Sequence, residues 1–216
     1  MGAATPYRPV TKRVAVAAPD RLLRDHSDEF YTDAVPGTDA GSRAAGRRAG
    51  REGHHDRRCT LLTASTGLGL ATIIPDNGVT AIKVGDVDGV KLAGLLVDAG
   101  TQNSSVLVQV GPEGASADHS ANPTSLQDVF VRVGGAGAGK ATTAMVVNSD
   151  DTIIDHTWLW RADHGDGVGW ETNRSDYGLR VNGDDVLATG LFVEHFNKYD
   201  VQWSGENGRT IFFQNE

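Results

Sequence analysis

The sequence has a single cysteine, Cys59, so no disulfide can form within the chain. No apolar run approaches the ~18 residues that mark a membrane-crossing helix. The opening stretch MGAATPYRPVTKRVAVAAPD lacks the compact apolar segment of a secretory signal. A cationic surplus is also missing: 20 Lys and Arg stand against 28 Asp and Glu, a net charge of -8. Binding a phosphate backbone needs a positive face, so nucleic acid is excluded as an expected partner, and a neutral ligand fits better. Aromatics make up only 6% of the chain, and no amphipathic segment of helix length is present.

Glycine is abundant, with 27 residues, and short Val/Ile/Leu runs alternate with Asn, Asp and Gly. That pattern belongs to short strands joined by turns. Composition shifts near residue 60. The stretch RAAGRRAGREGHHDRR holds six arginines in sixteen residues and almost nothing apolar. Residues 1–65 are therefore expected to form a disordered or irregular leader. Such an excess of Ala, Arg, Gly and His is what a GC-rich gene yields out of frame, which sequencing the locus would test. A basic tail for a polyanion and a metal site at His54, His55 and Asp56 are the functional readings of this stretch. Adjacent ligands without distant partners make a poor metal set, and no metal or cofactor is expected.

From residue 66 onward the chain repeats itself. YGLRVNGDDVLATGLFVE (177–194) lies over YDVQWSGENGRTIFFQNE (199–216) without a gap, Tyr177 on Tyr199 and Glu194 on Glu216. The same outline returns, less closely, in TAIKVGDVDGVKLAGLLVD and TAMVVNSDDTIIDHTWLWR, with alternating starts at Ile82/Val84 and Met145/Val147. A unit of about 22 residues with two or three strands cannot bury its own apolar face, but stacked copies can. The predicted fold is all-β, a right-handed, single-stranded parallel β-helix over 66–216. A Greek-key sandwich is the rival.

If one repeat is one coil, Glu194 and Glu216 project from one face of neighbouring coils, with backbones roughly 5 Å apart. Two carboxylates held close share a proton unequally, and a neutral carboxylic acid is what protonation of a glycosidic oxygen requires. Two solvated surface acids are the plainer reading. In HTWLWRADHGDGVGW, Trp158 and Trp160 fall on one face of a strand, with Asp163, His164 and Trp170 following. Indoles in a groove serve as sugar platforms with Asp and His as hydroxyl partners; a packed core pair is the alternative. GGAGAGKATT imitates a phosphate-binding loop through Gly134, Gly139 and Lys140. Ala141 stands where Ser or Thr would hold magnesium, and a strand pattern follows instead of a helix, so a plain turn is expected.

TWLWRADHG, YGLRVNGDDV, GLFVEHF and GRTIFFQNE resemble the β-helix of glycoside hydrolase family 55. That family contains microbial, including actinobacterial, exo-β-1,3-glucanases. The resemblance implies two tandem β-helices with the active site in the cleft between them, hydrolysis with inversion, and secreted full-length relatives. It also implies Glu216 as general acid, Glu194 in the polar network beside it, and Trp158, Trp160 and Asp163 bordering the glucosyl pocket. On this reading the substrate is a polysaccharide, β-1,3-glucan. The chain is expected to be a monomeric fragment holding the first coils of the second β-helix, truncated after Glu216 and inactive alone. Residues that would hold the attacking water have no candidate in 1–65. Two other readings remain open. One is a carbohydrate-binding β-helix without catalysis. The other is a pectate-type lyase using calcium, for which Asp184, Asp185 and Arg180 are the available groups.

Overall fold

A computed structural model describes residues 64–216. Residues 1–63 of the leader, with Cys59, His54, His55 and Asp56, lie outside the described residues, while its last two, Ala64 and Ser65, already belong to the first strand. Eleven strands follow one another: β1 (Ala64–Ile73), β2 (Ile82–Val84), β3 (Lys91–Asp98), β4 (Ser104–Val110), β5 (Ser125–Val133), β6 (Ala141–Val147), β7 (Ile153–Arg161), β8 (Tyr177–Val181), β9 (Leu187–Glu194), β10 (Tyr199–Trp203) and β11 (Arg209–Asn215). No helix occurs among the described residues. The odd strands form one sheet in the order β1-β3-β5-β7-β9-β11, and the even strands a second, β10-β8-β6-β4-β2. Every strand pair is parallel. Each rung is thus one even and one odd strand, and the chain winds as a parallel β-helix. A sandwich would need antiparallel ladders.

Register explains why the internal repeat is clear only near the end. Leu187 pairs with Arg209, a step of 209 − 187 = 22 residues. Ile153 pairs with Leu187, a step of 187 − 153 = 34. The strands keep their length, and the extra residues sit in the connection 162–176 between β7 and β8. The unit of about 22 therefore describes the last rung, while earlier rungs carry inserted loops at 111–124, 134–140 and 162–176. The stretch that imitates a phosphate-binding loop is the second of these, a turn running into strand β6.

The core is a set of columns along the axis. Ile82, Val108, Met145 and Leu179 stack in successive rungs and are fully buried. Each such side chain contributes about 1.5–3 kcal/mol on burial, which a lone rung could not gather. A second set of columns lies in the odd strands and carries an irregularity the sequence does not announce. Gly94, Asp128, His156, Gly190 and Phe212 all have positive φ, at matching places in β3, β5, β7, β9 and β11. Flanking them, Leu92 and Leu95, Leu126 and Val129, Ile154 and Thr157, and Ala188 and Leu191 are all buried, three residues apart. Same-face residues of a regular strand are two apart. The left-handed residue absorbs the odd step and lets both flanks point inward.

The Asx turns behave as a ladder. Asn182 Nδ2 donates to Asn148 Oδ1 at 2.8 Å, and Asn148 Nδ2 to the carbonyl of Gly111 at 3.0 Å. The backbone N–H of Glu206 donates to Asp184 Oδ1 at 2.7 Å, and that of Asp184 to Asp150 Oδ1 at 2.8 Å. Asp151, Asp185 and Asn207 take positive φ in these turns, which Asn and Asp tolerate.

Candidate active site

Strand β7 builds the platform by alternation. Thr157 and Leu159 point into the core, so Trp158 and Trp160 point out. Their rings lie 5.2 Å apart at 16°, a stacked pair, and Trp158 is 38% exposed. They form an outward platform, in place of the packed core pair that was the alternative.

The register of β7 on β9 then brings the first acid to the indoles. Trp158 pairs with Phe192, and Trp160 with Glu194. Trp158 Nε1 donates to Glu194 Oε2 at 2.9 Å. One step further along the axis, Asn215 pairs with Val193, and the backbone N–H of His195 donates to the carbonyl of Glu216 at 2.8 Å. Glu216 is thereby the rung neighbour of Glu194. It is exposed, and its carboxylate has no hydrogen-bond partner among the described residues.

Asp163 reaches the same place from the 162–176 connection. Its Oδ1 lies 2.7 Å from His164 Nδ1 and 3.7 Å from His195 Nε2. Partial burial pushes its pKa up, but the hydrogen bond to His164 and the nearness of His195 pull it further down, so it sits below the ordinary carboxylate value. His164 leans on Trp160, ring centres 5.1 Å apart. Gly135 closes the wall behind Trp160. Its φ is +89°, and a side chain there would meet the indole at 3.2 Å. The backbones of Gly135 and Asp166 exchange two hydrogen bonds of 2.9 Å, tying the glycine-rich turn to the Asp163 loop.

The structure thus brings Trp158, Trp160, Glu194 and Asp163 together and sets Glu216 beside Glu194. Sequence reasoning missed His195, whose left-handed backbone (φ +67°) turns the chain after Glu194. It also missed the two buried polar residues beneath the site, Arg161 and Asn173. Arg161 carries a readable signal, because Trp158-Leu159-Trp160 alternation sends it inward. Asn173 lies in a loop and carries none. Two of the three groups available to a calcium-dependent lyase have their side chains bonded elsewhere. Asp184 accepts from the next rung, Asp185 is a turn residue, and Arg180 Nε donates to Gln202 Oε1 at 2.9 Å.

Outward along the same row from Trp160, Arg132 makes a two-pronged pair with Asp98, Nε–Oδ1 2.7 Å and Nη2–Oδ2 2.8 Å. The pair borders a groove of about 760 Å³ that Gly134 and Ala136–Ala138 also line.

Residues 60–216 match the family model of the LAM55 pectate lyase-like domain. An exo-beta-1,3-glucanase of Streptomyces sp. (strain SirexAA-E / ActE) is 82% identical over 154 residues, 71% of this chain and 26% of that protein. Among solved structures, sacteLam55A from Streptomyces sp. SirexAA-E shares 82% identity at a TM-score of 0.70, over 70% of this chain and 28% of that one. A variant of sacteLam55A in complex with glucose matches equally well. The chain spans only about a quarter of the length of these relatives. With its stacked parallel rungs and this match over most of its length, the chain belongs to the LAM55 pectate lyase-like family.

Proposed function

We propose that this chain is the sugar-facing part of a glycoside hydrolase that cleaves β-1,3-glucan from the chain end with inversion. Glu216 serves as general acid, protonating the departing glycosidic oxygen. Glu194 orders the polar network beside it, while Trp158, Trp160 and Asp163 border the glucosyl pocket. The carrying observation is the bond from Trp158 Nε1 to Glu194 Oε2, which fastens an acid to an exposed indole stack. The high identity to an exo-beta-1,3-glucanase supports the substrate class. The partner is a neutral polysaccharide; nucleic acid and membrane are not partners, and the chain is a monomer. The working unit is residues 66–216, with 1–65 as a leader.

Inversion also needs a water held on the far face of the sugar. This reading assigns no residue of the chain to that role, and the chain spans 26% of its relative. Binding without turnover is therefore expected. The test is titration of a β-1,3-linked gluco-oligosaccharide alongside a glucose-release assay on laminarin. Binding abolished by Trp160→Ala, with no glucose released, is the expected result. Glucose release that disappears in Glu216→Gln would overturn the expectation of inactivity. No binding at all would sink the reading.

A further inference from the structure

We infer that Arg161 is a positioning residue, locking the loop that carries Asp163, His164 and Trp170 to the strand end that carries Glu194 and His195. The sugar-binding role of the locked groups rests on the glucan-hydrolase reading above; the lock itself stands on geometry.

Arg161 closes β7 and is 4% exposed. All its hydrogen bonds go to backbone carbonyls. Nε donates to Asn173 at 3.2 Å, Nη2 to Gly169 at 3.1 Å and Trp170 at 3.2 Å, and Nη1 to His195 at 3.0 Å. Among the described residues, no carboxylate is hydrogen-bonded to it. A buried cation held only by carbonyls is not there to complete an ion pair. Its use is the planar fork, which meets acceptors in several directions at once; an ammonium on a flexible stem cannot. Burial works against its charge, and Glu171 and Asp163 support the charge at longer range.

The acceptors belong to two separate pieces of chain. Three lie in the loop. There Asn173 binds the backbone further, its Nδ2 donating to Val133 at 2.9 Å and Ala162 at 2.7 Å. The Trp170 carbonyl also accepts from Asn197 Nδ2 at 3.2 Å, and the Trp170 ring sits 5.2 Å from the guanidinium carbon. This indole is 64% exposed yet pinned at its backbone and along one side. The fourth acceptor is His195, whose N–H binds the Glu216 carbonyl and whose ring faces Asp163. The guanidinium thus joins the acid edge to the loop from beneath, alongside Asn197, which ties the same two pieces through Trp170 and Ser175.

The test uses the full 216-residue chain and the variants Arg161→Met, Arg161→Lys and Arg174→Met. Arg174 is the control. It lies in the same loop but is exposed, and among the described residues its ion pairs are with Glu171 and Asp176. Amide hydrogen exchange is read without ligand, and gluco-oligosaccharide affinity is read separately. In folded Arg161→Met, the amides of Gly169, Thr172 and Asn173 and the amide of His195 lose protection together, about tenfold or more, while β5 and β7 keep theirs. Affinity falls about tenfold, Arg161→Lys lies between, and Arg174→Met matches the parent in both readouts. Faster exchange in the loop with His195 unchanged would overturn the proposal, as would wild-type exchange throughout. If Arg161→Met does not fold, Arg161→Lys decides by the same criterion. If the parent chain binds no gluco-oligosaccharide, the hydrolase reading fails and exchange alone judges Arg161.

Discussion

Trp158 and Glu194 sit on neighbouring strands, and the indole N–H of one holds the carboxylate of the other at 2.9 Å. The bond fixes the acid at the edge of the indole that stacks on Trp160. Trp158→Phe keeps an aromatic surface and removes the donor. At a partly exposed position the loss is expected to be about 1 kcal/mol, roughly fivefold in gluco-oligosaccharide affinity. Calorimetric titration reads it directly, and an unchanged affinity would mean that Glu194 is held in place by something else.

His119 gives a pH dependence whose sign follows from its two carboxylate partners. It is 2% exposed, with Nδ1 2.7 Å from Asp88 Oδ1 and Nε2 2.9 Å from Asp86 Oδ1. Two ionised carboxylates can only accept, so both bonds form with the doubly protonated ring. Burial lowers its pKa, but the bonds to Asp88 and Asp86 outweigh it and raise the pKa above the ordinary histidine value. Asp118 adjoins it in the loop, and Asp151 Oδ2 accepts its backbone N–H at 2.9 Å. A raised folded pKa contributes stability that is full below the unfolded value of about 6.5 and fades as pH climbs through the folded one. Melting temperature is expected to fall between mildly acidic and mildly alkaline pH, and His119→Gln is expected to flatten that slope.

Gly190 tests the left-handed column. Its φ is +59°, and the nearest atom to an added Cβ is 3.6 Å away, ordinary contact. Gly190→Ala therefore meets no clash and costs only conformational strain, about 1 kcal/mol, while Gly190→Asn costs less. Equal stability of both variants in urea unfolding would refute the assignment of that column.

Asn148 tests the turn ladder. It is buried, accepts from Asn182 and donates to Gly111. Asn148→Ala removes one of two donors to the buried Gly111 carbonyl, which keeps Gln109 Nε2 at 3.0 Å, and the acceptor of the exposed Asn182 amide, an expected cost of about 1 kcal/mol. Asn182→Ala, at the exposed end, is expected to cost less. Reversal of that order in denaturant melts would count against the ladder.

The stack was legible from the sequence because Tyr177 to Glu194 and Tyr199 to Glu216 repeat without a gap, and one rung there has no inserted loop. The platform was legible because Trp158 and Trp160 are two residues apart in a β pattern. The acid pair followed from the same spacing. What stayed hidden depends on contacts between distant segments. Asp128 and His156 look like any polar residues, and only the register shows them in one column with Gly94 and Gly190. His195 gains its place from Glu216 and Arg161, neither of which is local to it. The lengths of the earlier rungs were hidden because 134–140 and 162–176 interrupt the repeat without altering the strands.

Those two insertions have a consequence for engineering. They tie to each other through Gly135 and Asp166, while the apolar columns run past them unbroken. Scaffold and loops are nevertheless joined at Arg161. Any cassette that replaces 134–140 and 162–176 has to return backbone carbonyls to that guanidinium, or a buried cation in β7 is left without its partners.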